Sequence, residues 1–130
     1  MNMEFIARLP IPKEIKAQYP LSEEAAAVKA KRDKQIRAIF EGRDPRMLLV
    51  IGPCSADRAD AVLTYIEKLR VVQDKVSDKL LIVPRIYTNK PRTTGARYKG
   101  MLHYPNPNEK PNLTKGVIAI RSLIMQSLTA

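Results

Sequence analysis

The chain has 130 residues, 45% of them hydrophobic and 28% charged, which suffices for one ordinary domain but not for a large α/β barrel of roughly 250 residues. No long uncharged apolar run offers a membrane span, and the start, with Glu4 and Arg8 inside its short apolar stretch, lacks a secretory pattern, so a soluble cytoplasmic protein is expected. The formal charge of +10 raises the question of nucleic acid, but sparse aromatic residues and the absence of an RNP-like or zinc-finger pattern argue against it.

Residues 1–21 carry Pro10, Pro12 and Pro20, which predicts an extended arm or short turns rather than a long helix. Ser22 reads as an N-cap, with Glu23 and Glu24 in the first turn, where a helix dipole favours negative charge. This helix should run to about Phe40, stop at Gly42 and turn at Asp44-Pro45. Its charges, between Ala26 and Arg46, alternate with apolar residues as a solvated helix face would. Met47 to Ile51 is a short continuous apolar run, the mark of a strand buried on both faces in a parallel sheet, and Gly52-Pro53 ends it.

After Asp57, apolar residues at Val62, Ile66, Leu69, Val72 and Val76 fall near one face of a second long helix. Leu80 to Ile86 reads as a second buried strand, although Pro84 costs it a ladder donor. Strand, helix, strand in this order is one right-handed βαβ unit. Lys90 to Asn112 is rich in Pro, Gly, Asn and Thr, a long loop of the kind that carries function in a compact domain. Leu113 to Leu128 predicts a last amphipathic helix through Val117, Ile120, Leu123 and Ile124. Two parallel strands leave faces and edges unpaired, so the sequence is patterned for more strands than it contains.

In such sheets ligands gather at the carboxyl ends of the strands. Cys54, just past the first strand, suits a thiolate metal ligand or a nucleophile, or else a buried cysteine acting as a small hydrophobe; as the only cysteine it cannot form an internal disulfide. Between Arg85 and Lys99 stand five basic residues and no acidic one. Arg85, Lys90, Arg92 and the Thr93 hydroxyl can build an anion cradle, unless the run is a solvated basic loop. Arg85 stands apart, because a strand end among apolar residues is a costly place for an unpaired charge. His103, in the Pro-rich loop, is read as an ordinary loop residue.

The stretch Leu49-Val50-Ile51-Gly52-Pro53-Cys54-Ser55, then Ile82-Val83-Pro84-Arg85-Ile86-Tyr87, then Lys90-Pro91-Arg92-Thr93-Thr94, closely resembles the type I 3-deoxy-7-phosphoheptulonate synthases. Tyr98-Lys99-Gly100-Met101 and Leu113-Thr114-Lys115-Gly116 fit that family too, so the resemblance runs from about Ser22 to Gln126. It implies an α/β fold: the N-terminal part of a (β/α)8 TIM barrel, about two strands and their helices, over residues 46–130, preceded by an arm and helix over 1–45. It also implies a transferase that condenses phosphoenolpyruvate with erythrose 4-phosphate at the entry to the shikimate pathway. Cys54 would be one ligand of a divalent transition metal (Mn, Fe, Co or Zn), Arg85 and Lys90 would hold phosphoenolpyruvate, and Arg92 and Thr93 would receive erythrose 4-phosphate. The complete enzyme is expected to be a homo-oligomer without nucleic-acid or membrane partners. The family's remaining metal ligands come from later strands, so this chain is expected to be truncated, inactive alone and unable to hold the metal stably. A non-catalytic module that binds anions or a partner is the alternative.

Overall fold

Caps or breakers bound the elements except the helix Ala59–Val76, whose N-cap Arg58 makes no side-chain cap bond and whose C-cap Ser77 is in a helical conformation. The computed structural model describes residue 5 and residues 7–90 and 98–130. Their order is α1 (Pro12–Gln18), α2 (Glu23–Phe40), β1 (Met47–Ile51), α3 (Ala59–Val76), β2 (Leu80–Pro84) and α4 (Leu113–Ser127). The proline-rich arm contains the short helix α1, which sequence patterning leaves as arm or turns. Pro12 occupies its first position, where a missing N–H costs nothing, and the Glu14 carboxylate accepts from the Ile11 N–H at 2.9 Å.

Ser22 caps α2 as expected, its Oγ accepting from the Ala25 N–H at 3.1 Å. The helix stops where Gly42 adopts φ 71°, and the Gly42 and Arg43 N–H groups donate to Ile39 O and Ala38 O at 3.1 and 2.9 Å. The Asp44 carboxylate then grips Arg46 in the turn before β1, with Nε–Oδ1 at 3.0 Å and Nη2–Oδ2 at 2.6 Å.

β1 and β2 pair in parallel, Met47 beside Leu80 through Ile51 beside Pro84, with α3 as the crossover. The Arg85 N–H donates to Ile51 O at 2.8 Å, extending the ladder past β2. One expectation fails in β1, which is not buried on both faces: Met47 is 67% and Val50 56% exposed. Among the described residues β1 has a strand on one side only. Leu81 and Ile82 of β2 are buried, and β2 stops at Pro84 rather than Ile86.

The core joins Val62 and Ile66 of α3, Leu123 of α4, and Ala56 and Met101 from the loops. In α3 the expected stripe shifts by one residue at its end: Val72 is exposed and Gln73 is buried. Positions 62, 66, 69, 73 and 76 share one face by alternating steps of four and three, and a polar side chain is tolerated there because both ends of its amide are bonded. Gln73 Nε2 donates to Leu80 O at 2.9 Å, and the Ile82 N–H donates to Gln73 Oε1 at 2.6 Å.

Asn112 caps α4, accepting from the Lys115 N–H at 2.9 Å. Gly116 in its first turn lies so close to the Leu102 carbonyl that a Cβ would overlap it. Farther along α4, Arg121 donates from Nε and Nη2 to Tyr19 O at 3.0 and 2.9 Å, tying the arm to the last helix. No helix of the described residues is long and apolar enough to cross a membrane.

Candidate functional site

The parallel pairing brings the carboxyl ends of β1 and β2 together, and with them the segments that follow. A close approach sets the distance between these segments: a Cβ on Gly52 would overlap the Arg85 carbonyl oxygen, so the β1 exit can lie against the β2 exit only with glycine there. The Ala56 N–H donates to Tyr87 O at 2.9 Å and pins the same two segments again farther out. Cys54 lies between these two tethers.

Three of the expected site residues therefore meet. Lys90 Nζ donates to Cys54 Sγ at 3.0 Å. Arg85 Nη2 donates to Pro53 O at 2.9 Å. The Arg85 guanidinium and the Lys90 ammonium stand 5.0 and 5.7 Å from the centre of the Tyr87 ring, so one aromatic ring serves two cations. Sequence reasoning gives Tyr87 no role; an aromatic residue spaced between two cations just past a strand end is the signal that could have found it.

Arg85 is exposed, as is Cys54, so the reading of Cys54 as a buried small hydrophobe does not hold. The charge of Arg85 lies outside the apolar interior, which removes the desolvation cost expected of it. Among the described residues no carboxylate pairs with Arg85 or Lys90. Two unneutralised cations on one ring can take an anion bidentately through the guanidinium and as a point charge through the ammonium.

Arg92 and Thr93 fall within 91–97, outside the described residues. The base of that segment is fixed on both sides: the Lys90 N–H donates to Lys99 O at 2.9 Å and the Leu102 N–H to Thr88 O at 3.2 Å. Tyr98 packs its ring 6.2 Å from that of Tyr104 and donates its hydroxyl to Tyr104 O at 3.1 Å. Burial, with a smaller contribution from the negative Asp57, pushes the Tyr98 hydroxyl above its ordinary pKa and keeps it protonated.

Two further groups were not anticipated. Ser55 Oγ is shut off from solvent and has no hydrogen-bond partner among the described residues. A cleft of about 530 Å³ opens between the start of α3 and α4, lined by Asp57, Arg58, Met101, Pro105, Leu123 and Gln126 among others; it holds none of the site residues. Among the described residues His103 contributes backbone bonds, its N–H donating to Gly100 O and its carbonyl accepting from the Asn112 N–H. For a metal the described residues do not fit alone: no group of three or more His, Cys, Asp and Glu side chains could hold an ion, whereas transition-metal sites take three or four protein ligands.

The DAHP synthetase I family matches residues 18–119. The chain is 36% identical over 118 residues to the Tyr-sensitive phospho-2-dehydro-3-deoxyheptonate aldolase of Escherichia coli K12, covering 91% of this chain and 33% of that protein. It is 37% identical over 107 residues to the phospho-2-dehydro-3-deoxyheptonate aldolase of Haemophilus influenzae, covering 82% and 29%. The solved structure of the phospho-2-dehydro-3-deoxyheptonate aldolase of Francisella tularensis SCHU S4 superposes with a TM-score of 0.88 at 29% identity, over 98% of this chain and 37% of that one. The chain thus spans about a third of the length of these relatives and corresponds to their N-terminal portion.

Proposed function

Because the chain belongs to the DAHP synthetase I family, we propose that it carries the phosphoenolpyruvate end of a 3-deoxy-7-phosphoheptulonate synthase site, in an enzyme that condenses phosphoenolpyruvate with erythrose 4-phosphate. The observation that supports this is the meeting of Arg85, Lys90 and Cys54 at the carboxyl ends of two parallel strands, with Lys90 Nζ 3.0 Å from Cys54 Sγ. Arg85 would fork onto carboxylate or phosphate oxygens, and Lys90 would offset the remaining charge as the substrate reacts. Arg92 and Thr93 would receive erythrose 4-phosphate.

Residues 46–130 would be the first part of a (β/α)8 barrel, and residues 1–45 the arm and helix before it. Cys54 would supply one ligand to a divalent metal whose others lie outside the described residues, and no chemical step is assigned through it. The cytoplasm and homo-oligomeric assembly fit this reading. The 130-residue chain alone would bind the substrate anion without turning it over.

Calorimetric titration of the whole chain with phosphoenolpyruvate tests this. Arg85→Met and Lys90→Met should each weaken binding about tenfold or more, as loss of a charge-assisted contact does. Unchanged affinity in both variants, or no binding by the parent chain, would sink the assignment. Phosphate release on adding erythrose 4-phosphate to this chain alone would overturn the expected inactivity.

A further inference from the structure

Arg85 and Lys90 carry the same charge on long, flexible stems, so left to themselves they would repel and drift apart. Among the described residues no carboxylate holds them together. Each is anchored once to the exit of β1: Arg85 Nη2 donates to Pro53 O at 2.9 Å and Lys90 Nζ to Cys54 Sγ at 3.0 Å. The Tyr87 ring is the contact they share, its centre 5.0 Å from the guanidinium carbon and 5.7 Å from the ammonium nitrogen.

That ring is itself fixed. Tyr87 is half-buried, and its carbonyl accepts from the N–H of the buried Ala56 at 2.9 Å. The bond from the Arg85 N–H to Ile51 O carries the ladder past β2, and in extended backbone residues two apart share a face, which sets the ring beside Arg85. Lys90 meets the ring three residues on, its own backbone held by the bond from its N–H to Lys99 O at 2.9 Å. An aromatic ring attracts cations through its quadrupole and, unlike a carboxylate, leaves their charge unneutralised. The N–H groups that these contacts do not use stay available to a ligand.

We propose that Tyr87 is a positioning residue: its ring holds the Arg85 guanidinium and the Lys90 ammonium as a preset pair for a ligand with two anionic groups. This role rests on the reading of that pair as the phosphoenolpyruvate end of the site. Phosphoenolpyruvate carries a carboxylate and a phosphate, so it can engage both head groups at once. Without the ring, both side chains must be ordered as the ligand arrives, and that cost falls on binding.

The test is calorimetric titration of the whole chain with phosphoenolpyruvate and, separately, with inorganic phosphate. Tyr87→Leu should weaken phosphoenolpyruvate binding about tenfold, the cost of ordering two rotamer-rich side chains, and phosphate binding, which one head group can serve, about threefold or less. Tyr87→Phe should bind both as the parent does, because the ring and not the hydroxyl makes the contact. Pentafluorophenylalanine at position 87 keeps the shape of the ring and reverses its quadrupole, so it should behave as Tyr87→Leu does; it decides alone if Tyr87→Leu does not fold. Equal loss of both ligands, the mark of a merely loosened fold, overturns the proposal. Failure of the parent to bind phosphoenolpyruvate sinks the site reading and this role with it, whereas a binding parent matched in affinity by either ring-altering variant sinks the role alone.

Discussion

Gly52 and Ser55 flank Cys54 and pull stability in opposite directions. A methyl at Gly52 would drive the β1 exit off the Arg85 carbonyl, so Gly52→Ala should destabilise the chain by about 1–3 kcal/mol and also weaken anion binding by separating Cys54 from Lys90. At Ser55 a buried hydroxyl carries a desolvation penalty without a bond in return, and Ser55→Ala should leave stability unchanged or raise it by about 1 kcal/mol. Urea unfolding of both variants checks the pair; a clear loss in Ser55→Ala would mean that the hydroxyl does have a partner. The cluster itself was only half legible from sequence. Arg85 and Lys90 are visible as charge past a strand, but Tyr87 becomes a shared ring only once the chain turns back. Likewise, nothing in the residue type tells that Cys54 is exposed rather than buried.

At the level of elements, α2, α3, α4 and both strands lie close to where caps, breakers and periodicity place them, because Ser22, Gly42, Asn112 and the two apolar runs act locally. What local signals could not supply was the neighbour. β1 and β2 have similar apolar runs, yet β1 is largely exposed and β2 buried, a difference that depends on what packs beside each strand. Gln73 was missed for the same reason, since its partners on β2 lie seven and nine residues away. The turn between α2 and β1 has a pH dependence of its own. Hydrogen bonds from the Arg46 side chain, then from its backbone N–H, hold the Asp44 carboxyl below its ordinary pKa, and Arg46 Nη1 reaches Ser77 O at 3.3 Å, past the end of α3. A carboxylate with a depressed folded pKa stabilises the fold above its unfolded value of about 3.9, and the benefit is lost as pH falls through the folded value. The parent should therefore lose more stability than Asp44→Asn between about pH 5 and pH 2 in denaturant titrations; parallel curves would show that the pair contributes nothing.

For the whole molecule, accessible surface is the telling quantity. The chain exposes 9667 Å², about 2,700 Å² more than a compact monomer of its 14.7 kDa mass would. Phe5, Phe40, Met47 and Val50, from 56% to 88% exposed, are among the large apolar side chains that contribute. Because the urea m-value scales with the area exposed on unfolding, it should lie about a fifth below that of a compact domain of equal length. An ordinary value would mean that the open surface is covered in solution. One contact has a kinetic meaning. The Arg121 fork onto Tyr19 O joins residues 102 positions apart, so forming it early would cost the closure entropy of most of the chain with few other contacts to offset it. The clamp should be absent from the folding transition state: Arg121→Met should speed unfolding and leave the refolding rate unchanged. Helix α1 would then be the last element to settle and the first to come loose, and a protease cutting near Tyr19 would report on the joint release of this fork and of the buried Ile15 long before the sheet opened.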